Sequence, residues 1–338
     1  MDATTNRPMT ELDLVFRAWS GGPDAIEMAR VSNAANLAEG VDHHNTAEQL
    51  ANFFSHPGDH FDAARDVVMV EHGGAVVAYG WHSWIDTTDQ VREHRLAGYV
   101  DPEWTHRGIG RQLLGWLEAR ARASVQEHPT QLPAFYGSWA DEQRVGKQVL
   151  LEREGYAPLR WFFDMRRDGL DVVDVTEMPD GLDIRPIGTD RVSLRRLFDA
   201  DAEAFQDHWG GFPTDDAAFE EILNDPDFDP SLHVVAWDRD EIAGAVINAI
   251  PRAENEALGR RRGWLESVFV RRPWRRRGLA QAIVARSLVA LRERGMDHAM
   301  LGVDADNPTG ALGVYARAGF VVVKRAAAFR KPMEVSAP

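Results

Sequence analysis

The chain has 338 residues, roughly twice the usual size of one domain, which favours two domains over a single large core. Its 53 acidic and 38 basic side chains give a net charge of −15, which argues against a protein that coats nucleic acid or an anionic membrane. A hydrophobic fraction of 44% and 11 Trp residues argue against a disordered chain.

The absence of cysteine excludes disulfides, Cys-ligated zinc, iron–sulfur clusters and thiol nucleophiles. The first ten residues lack the apolar core of a signal peptide, and no apolar run approaches the ~20 residues of a membrane span. These features predict a cytoplasmic protein with no membrane contact. The histidines, among them His43, His44 and His94, form no persuasive ligand spacing with carboxylates, so we expect no metal site.

From the N-terminus, the first clear elements are two strands joined by a tight glycine turn, at 67–70 and 75–77. A further strand ends at Val100. Gly108 then opens a helix whose apolar residues recur at helical spacing as far as Leu117.

The same order of elements returns in the second half. A strand pair is followed by a strand that ends at Val270 and by a helix that Gly278 opens. Residues 100–111 match residues 270–281 at a constant offset of 170. Such internal similarity indicates two copies of one unit.

Each half closes with a short helix that stops at a glycine, Gly155 or Gly319, and with a further strand. We expect the linker near 167–181, a stretch of Asp, Gly and Pro with scattered apolar residues. The sequence therefore predicts two mixed α/β domains, at 1–172 and 180–338.

The segment from Arg275 to Ala280 lies between a strand and a helix, where backbone N–H groups and the helix dipole together form an anion site. Small residues let a ligand approach the main chain, and flanking arginines would add charge-assisted contacts to a pyrophosphate. The alternative is a glycine that caps a turn beside solvated arginines. The segment is neither a P-loop nor a dinucleotide fingerprint.

This order of elements and this loop resemble the GNAT superfamily of acyl-CoA-dependent N-acyltransferases. Two family motifs occur in order, an Arg/Gln-x-x-Gly-x-Gly/Ala loop and a later Asn, Tyr and Gly-Phe. The matching residues are Arg275, Gly278, Ala280, Asn307, Tyr315, Gly319 and Phe320. The tandem arrangement is similar in architecture to that of mycothiol synthase-like proteins. The resemblance implies two tandem GNAT domains and N-acetyl transfer from acetyl-CoA to a small-molecule amine.

The resemblance also implies roles for residues of the second half. The strand would bond the pantetheine arm and the loop would hold the pyrophosphate. The residues expected to bind acetyl-CoA are Val268, Phe269, Val270, Arg275, Arg276, Arg277, Gly278, Leu279, Ala280 and Asn307. Backbone N–H groups around Phe269 and Val270 would stabilise the oxyanion. Tyr315 would protonate the departing thiolate, the alternative being a core tyrosine on an amphipathic helix.

Glu266 is the leading candidate for the base, because an alternating strand would place residues 264, 266, 268 and 270 on one face. A lone carboxylate in such an apolar strand costs free energy to bury unless it has a partner or a function. The alternative is an ion pair with one of Arg260–Arg262. A relay of the amine proton through water would need no dedicated base.

The acceptor is expected to contact the segment before the second sheet, together with the catalytic strand. The residues assigned to it are Asp207, His208, Trp209 and Trp264, with Asp304 and Asp306 as weaker candidates. Because several of these side chains are acidic, a cationic amine or aminosugar would suit the site.

The first half differs at the positions that matter for chemistry. Thr105 stands where the family motif has Arg or Gln. Counted back from the helix-ending glycine, Leu151 takes the place of Tyr315, and Gln143 takes that of Asn307. We therefore expect the first half to be a scaffold or a non-catalytic CoA site. A second CoA site would use Val100, Arg107, Gly108, Gly110 and Arg111.

Two other functions are compatible with parts of the sequence. One is a non-catalytic acyl-CoA-binding sensor or scaffold, against which the intact Asn307 and Tyr315 count. The other is a nucleic-acid-binding protein that uses the arginines at 271–277, which the net acidity disfavours. The sequence does not decide between a monomer and a homodimer.

Overall fold

The computed structural model describes residues 12–334 except 57, 59, 212, 308 and 309, and leaves the side chain of Asp207 undescribed. The strands are β1 (Leu14–Ala18), β2 (Val67–His72), β3 (Ala75–Asp86), β4 (Arg92–Val100), β5 (Ala134–Asp141), β6 (Ala157–Asp168), β7 (Asp183–Ile184), β8 (Val234–Asp238), β9 (Glu241–Ala249), β10 (Arg262–Val270), β11 (His298–Asp304) and β12 (Val321–Pro332). The helices are α1 (Gly22–Glu39), α2 (Ala47–Ser55), α3 (Ala63–Asp66), α4 (Ile109–Glu127), α5 (Val145–Arg153), α6 (Arg191–Ala204), α7 (Asp216–Leu223), α8 (Arg252–Leu258), α9 (Leu279–Glu293) and α10 (Ala311–Arg317).

The strands form one twelve-stranded mixed sheet in the order β1-β2-β3-β4-β5-β12-β6-β11-β10-β9-β8-β7. Neighbouring strands are antiparallel except for β4 with β5 and β10 with β11, which are parallel. The first and second halves of this order mirror one another, as expected for two copies of one unit. The prediction of a mixed α/β architecture is confirmed.

The duplication is visible in the element boundaries. Strands β4 and β10 begin at Arg92 and Arg262, and helices α4 and α9 begin at Ile109 and Leu279. Both pairs lie 170 residues apart, which is the offset found in the sequence. The two halves therefore share the strand–loop–helix segment on which the predicted anion site depends.

The two halves exchange their last strands. Strand β12 lies between β5 and β6, and β6 lies between β12 and β11. As a result Phe329 of β12 lies in the apolar core of the first half, whereas Met165 of β6 lies in that of the second. The segment between β6 and β7, residues 169–182, contains no strand or helix and overlaps the predicted linker at 167–181.

Helices cover both faces of the second half of the sheet. Ala243 and Val246 of β9 pack into a core with α9, whereas Ile242 and Ala245 pack into a separate core with α6 and α7. Since successive side chains of a strand point to opposite faces, the two cores lie on opposite sides of the sheet. Among the described residues, no helix combines the length and hydropathy that crossing a membrane requires.

Candidate active site

Strands β10 and β11 diverge along their length. They pair in register only over Arg262–Trp264, opposite His298–Met300. Beyond Trp264, strand β10 continues to Val270 while pairing with β9 on its other edge. The edge of β10 that faces β11 is therefore open from Leu265 onward, which leaves backbone groups for a ligand.

The direction of these backbone groups follows from one hydrogen bond. Arg271 donates its N–H to the carbonyl oxygen of Ala243 on the β9 side, at 3.0 Å. Alternate residues of a strand point their N–H groups to opposite edges, so Val270 and Val268 point theirs into the gap. Phe269 points its N–H toward β9. The prediction that this N–H group stabilises the oxyanion is therefore wrong.

A left-handed turn connects the end of β10 to α9. Arg276 and Gly278 have φ angles of 62° and 85°, and Gly278 is the N-cap of α9. Glycine adopts this conformation without the steric cost that a side chain brings. The turn directs the first N–H groups of α9 toward solvent, where an anion can bind them.

The arginines of this loop fix its position. Arg275 donates from Nε to the carbonyl oxygen of Val270 at 2.9 Å and from an η nitrogen to that of Ala204 at 3.2 Å. Arg277 donates to the carbonyl oxygen of Asp180 at 2.8 Å, and Arg271 pairs with Glu203 and Glu241. These contacts tie the loop to its surroundings, and Arg276 is exposed.

Glu266 occupies a β-bulge. In the pairing of β10 with β9, Leu265 lies opposite Asn248 and Ser267 lies opposite Ile247, so Glu266 is one inserted residue. Bulges redirect a side chain and increase the local twist, and they are common beside active sites.

The bulge changes which side chains share a face. Val268 and Val270 pack against the core beneath α9, which also holds Leu265. Glu266 instead lines a cavity beneath α6 and α7. The prediction that residues 264, 266, 268 and 270 share one face is therefore wrong, since the inserted residue places Glu266 opposite the two valines.

The surroundings of Glu266 favour its neutral form. Its side chain is reached by water through the cavity, yet protein surrounds it on the remaining sides. This burial, together with the negative charges of Asp225, Glu254 and Asp164, raises the pKa of Glu266 to about 7. A carboxylate with such a pKa is suited to accept a proton near neutral pH.

The sequence left open an ion pair between Glu266 and one of three neighbouring arginines. Arg260 and Arg262 contact Asp42, and Arg262 also pairs with the buried Glu254 at 2.6 Å. Arg261 pairs with Asp297 at 3.1 Å. Each of these arginines thus pairs with a carboxylate other than Glu266. The alternative that Glu266 forms an ion pair with one of them therefore loses its support.

Tyr315 lies on the opposite face of the sheet. It is 6% exposed on α10 and packs in the core that contains Leu265 and Leu279. Burial raises the pKa of its phenol to about 12, so the hydroxyl keeps its proton at physiological pH. The carboxyl of Glu266 and the phenol of Tyr315 therefore flank the open strand from two sides.

The cavity beneath α6 and α7 has a volume of about 430 Å³. Leu197, Phe198, Phe219 and Ile247 form much of its apolar wall. Its other walls carry Glu266, Ser267 and further carboxylates, which the sequence did not indicate because they come from helices distant along the chain. A volume of this size suits a small organic ligand.

Asp201 of α6 is one of these unpredicted residues. It accepts a hydrogen bond of 2.6 Å from the hydroxyl of Ser267, next to the bulge. Burial raises the pKa of Asp201 to about 6. Two carboxyl groups with raised pKa, Asp201 and Glu266, thus line one cavity.

The residues assigned to the acceptor from sequence are dispersed. Trp264 lines a different cavity of about 540 Å³, beside Asp164 and Lys324. Trp209 lies against strand β12, with Arg330 over its ring at 4.7 Å. The carbonyl oxygen of His208 accepts a hydrogen bond of 2.6 Å from Thr88. The structure thus brings Glu266, but neither His208 nor Trp209, to the described lining of the cavity.

Three further predicted residues are Asp304, Asp207 and Asn307, of which Asp304 and Asn307 lie at the end of β11 or just after it. Asp304 accepts two hydrogen bonds from Arg160, at 2.8 and 2.9 Å, and is 8% exposed. The side chain of Asp207 is outside the described part of the structure. Asn307 follows β11, and its N–H donates to the carbonyl oxygen of Asp304 at 3.2 Å.

The loop of the first half has the same backbone conformation. His106 and Gly108 have φ angles of 59° and 83°, close to their counterparts in the second half. Arg107 lies over the ring of Trp104 at 4.6 Å, and Arg111 pairs with Glu154 at 2.8 Å. The predicted second CoA site therefore keeps the geometry of an anion loop.

The first half lacks the carboxyl and hydroxyl groups at the positions equivalent to Glu266 and Tyr315. The offset of 170 makes Leu96 the equivalent of Glu266. The difference at Leu151 was identified from the sequence, and this one was not. In the described pairing of β4 with β3, Leu96 lies opposite His82 with no register shift. In the described pairings, β10 therefore has a bulge at this position and its counterpart β4 does not.

A cluster of aromatic rings packs beside α1 and α2 in the first half. Phe54 packs with Trp19, Phe61 and Trp81 at centroid distances of 5.7, 6.0 and 5.8 Å. These rings belong to the core of α1 and α2 or pack against it. Among the described residues of the whole chain, no three His, Asp or Glu side chains gather as metal ligands.

The sequence model of the Acetyltransferase (GNAT) family matches residues 30–132 and 194–320. The two matches cover more than half of the chain, with one in each half. The chain belongs to the GNAT acetyltransferase family. The predicted tandem architecture and the predicted acyltransferase activity are confirmed.

Relatives of this GNAT protein span nearly its full length. The mycothiol acetyltransferase of Geodermatophilus obscurus is 29% identical over 296 residues, which cover 85% of this chain and 87% of that protein. The mycothiol acetyltransferase of Salinispora arenicola is 27% identical over 301 residues, which cover 88% and 89%.

Solved structures show the same fold. A GCN5-related N-acetyltransferase from Sphaerobacter thermophilus has a TM-score of 0.69 and 26% identity, and covers 96% of this chain and 97% of its own. A tandem GNAT protein from the clavulanic acid biosynthesis pathway has a TM-score of 0.68 and 18% identity, with coverage of 96% and 100%.

Proposed function

We propose that this GNAT protein transfers an acetyl group from acetyl-CoA to the primary amine of a small molecule, and that its second half carries the chemistry. The observation that carries this proposal is the open, bulged strand β10 with Glu266 on one face and Tyr315 on the other. A thioester that enters the gap would meet a base and an acid from opposite sides.

Binding of acetyl-CoA would use main-chain groups. The N–H groups at the start of α9, behind Gly278, suit the pyrophosphate, because they carry partial positive charge and have no partner within the helix. The backbone of Val268 and Val270 suits the amide groups of the pantetheine arm. Arg275 supports this arrangement by holding the carbonyl oxygen of Val270.

The reaction needs two proton transfers. The nitrogen lone pair of the acceptor attacks the thioester carbon, and Glu266 accepts a proton from that nitrogen. The resulting oxyanion would be stabilised by an N–H group in the gap, from Val268 or Val270. Collapse of the intermediate breaks the carbon–sulfur bond, and Tyr315 donates its phenolic proton to the departing thiolate.

In this proposal the first half is non-catalytic. Leu96 and Leu151 occupy the positions of the base and the acid, and both are nearly fully buried, at 3% and 2% exposure. Aromatic rings around Phe54 pack against α2 in the first half. Binding of CoA to the loop at Gly108 would then serve structure rather than turnover.

The direct test is release of thiol from acetyl-CoA in the presence of a panel of primary amines, with mass spectrometry of the products. We expect release that depends on the amine and yields a singly acetylated product. A control reaction without any amine measures the background hydrolysis of acetyl-CoA. Tight CoA binding with no amine-dependent release across the panel would instead support a sensor or scaffold.

A further inference from the structure

The cavity beneath α6 and α7 holds more negative charge than a single reacting amine would balance. Among the described residues that line it, six are carboxylates and none is Arg or Lys. The carboxylates are Asp201, Glu221, Asp225, Asp227, Asp229 and Glu266. A site of this charge attracts cations.

Some of this charge is balanced within the protein. Arg252 lies 3.6 Å from both Asp227 and Asp229, and Arg294 pairs with Asp229 at 3.0 Å. In the described part of the chain, no Arg or Lys forms a salt bridge with any of the other four carboxylates. These are Asp201, Glu221, Asp225 and Glu266.

The unbalanced carboxylates affect one another. Burial raises the pKa of Glu221, and the charge of Asp225 raises it further. Burial and the charge of Asp227 do the same for Asp225, whose charge in turn acts on Glu266. Glu221, Asp225 and Glu266 thus line one cavity and disfavour one another's charge.

The histidine that lines the cavity adds no positive charge to it. Burial lowers the pKa of His233 to about 4, so this imidazole is neutral at physiological pH. Its Nδ1 is buried without a hydrogen-bond partner, and the residue lines the same cavity. Phe219 and Phe228 add apolar walls nearby.

We infer that the acceptor is a dication, with a primary amine that reacts beside Glu266 and a second ammonium group held by Glu221 and Asp225, joined by an apolar stretch. This inference rests on the proposed function. The attacking nitrogen must be neutral when it reacts, so its charge does not balance the remaining carboxylates. A second ammonium group keeps its charge throughout the reaction and does balance them.

The acetyl transfer itself is unchanged by the second group. A nitrogen–carbon bond forms at the amine beside Glu266 while the thioester carbon–sulfur bond breaks. One proton passes from the nitrogen to the carboxylate and another reaches the thiolate. The second ammonium group only binds, so its contribution appears in affinity for the acceptor.

Calorimetric titration of the CoA-loaded full-length protein with cadaverine and with n-pentylamine tests this inference. The two probes have the same carbon chain and differ in the second amine. We expect cadaverine to bind at least about 10-fold more tightly at low salt, as one charge-assisted contact in a partly buried site can provide. We expect the double variant Glu221→Gln/Asp225→Asn to lose this preference.

A matched control removes the same number of charges elsewhere. Glu152 and Glu293 are exposed on α5 and α9, so Glu152→Gln/Glu293→Gln should keep the preference. Glu221→Gln alone should lose part of it and serves if the double variant does not fold. Equal binding of the two amines, or a preference that survives in the cavity variants, would overturn the inference.

Turnover in the same preparations separates the two proposals. Acetylation of n-pentylamine and cadaverine with equal efficiency, and with no difference in affinity, overturns the dication alone. A clear preference for binding cadaverine without thiol release from acetyl-CoA supports the cation site and overturns the proposed acetyl transfer.

Discussion

Two positions distinguish the halves of this GNAT protein at the scale of single residues. Glu266 stands where the first half has Leu96, and Tyr315 stands where it has Leu151. The leucines fill apolar core, whereas Glu266 lines a cavity and Tyr315 brings a hydroxyl to a buried position. The surroundings raise the pKa of both ionisable side chains, which suits the proposed proton transfers.

Tyr315→Phe removes the proposed proton donor and keeps the aromatic ring that packs beside Phe320. We expect kcat to fall by about 10²–10³-fold, because a positioned general acid contributes on that scale. The measurement is steady-state thiol release at saturating acetyl-CoA.

The control for Tyr315→Phe is Leu151→Ala, at the equivalent position of the first half. Truncation of this buried leucine lowers the stability, so both variants are compared at equal folded fraction, judged by circular dichroism. We expect kcat of the control to stay near that of the unmodified protein. Equal losses in the two variants would show that the halves do not differ as proposed.

The pH dependence of kcat/KM reports the free enzyme's base. Because the pKa of Glu266 is raised to about 7, its carboxylate is present above that pH and is lost below it. We expect kcat/KM to rise with pH, with a midpoint near 7, and to stay level at alkaline pH where Tyr315 remains protonated. The acceptor's own ionisation is separated by repeating the profile with an amine of different pKa.

Glu266→Gln is the control variant for this profile. It should lower kcat/KM and remove the limb near pH 7, whatever the acceptor. A midpoint that persists in Glu266→Gln would assign the titration to another group, of which Asp201 is the nearest in character, with a pKa raised to about 6.

At the scale of elements, the sequence predicted what depends on local pattern. The end of β10 at Val270, the turn at Gly278 and the start of α9 follow from the valine-ended strand, the glycine and the helical spacing within one segment. The bulge at Glu266 escaped prediction because it arises from the register of β10 against β9, which no single strand reveals. The carboxylates of the cavity escaped for the same reason, since α6 and α7 meet β10 only in the folded chain.

The exchange of last strands makes a prediction for truncated chains. A chain that ends at residue 319 lacks β12, so β5 and β6 each lose a partner. We expect the backbone amides of β5 to lose their protection in hydrogen exchange, although β5 belongs to the other half. Exposed strand edges of this kind also promote aggregation.

A chain that ends at residue 334 is the control, because it keeps the whole of β12. Its β5 amides should exchange as slowly as those of the full chain. Protected β5 amides in the shorter chain would mean that the first half forms its sheet alone, and would support independent domains at 1–172 and 180–338.

At the scale of the whole molecule, each half supplies parts of the other. Asp42 of the first half accepts a hydrogen bond of 2.9 Å from Arg262 at the start of β10. Arg95 of the first half donates to the carbonyl oxygens of Gly210 and Gly211 in the second, at 3.1 Å each. Gln49 of the first half lines the candidate acceptor cavity. The half proposed to be non-catalytic thus contributes a residue to the wall of the candidate acceptor cavity in the other.

The duplication itself was predictable from sequence, because similar residues recur at a fixed offset. The pairing of the two copies was not, since a strand with the pattern of β12 fits equally between β5 and β6 or beside its own half. The periodicity of a strand specifies which side chains face the core, and leaves open which chain segment lies alongside.

The position of β12 has a consequence for synthesis on the ribosome. Strand β12 contains the last residues of the sheet to be translated, yet it fills a place in the half that is translated first. One edge of β5 therefore lacks its partner β12 while more than 150 further residues are translated. Slow translation of the second half would lengthen the time for which the edge of β5 is exposed. The translation rate and the supply of chaperones would therefore affect the yield of native protein.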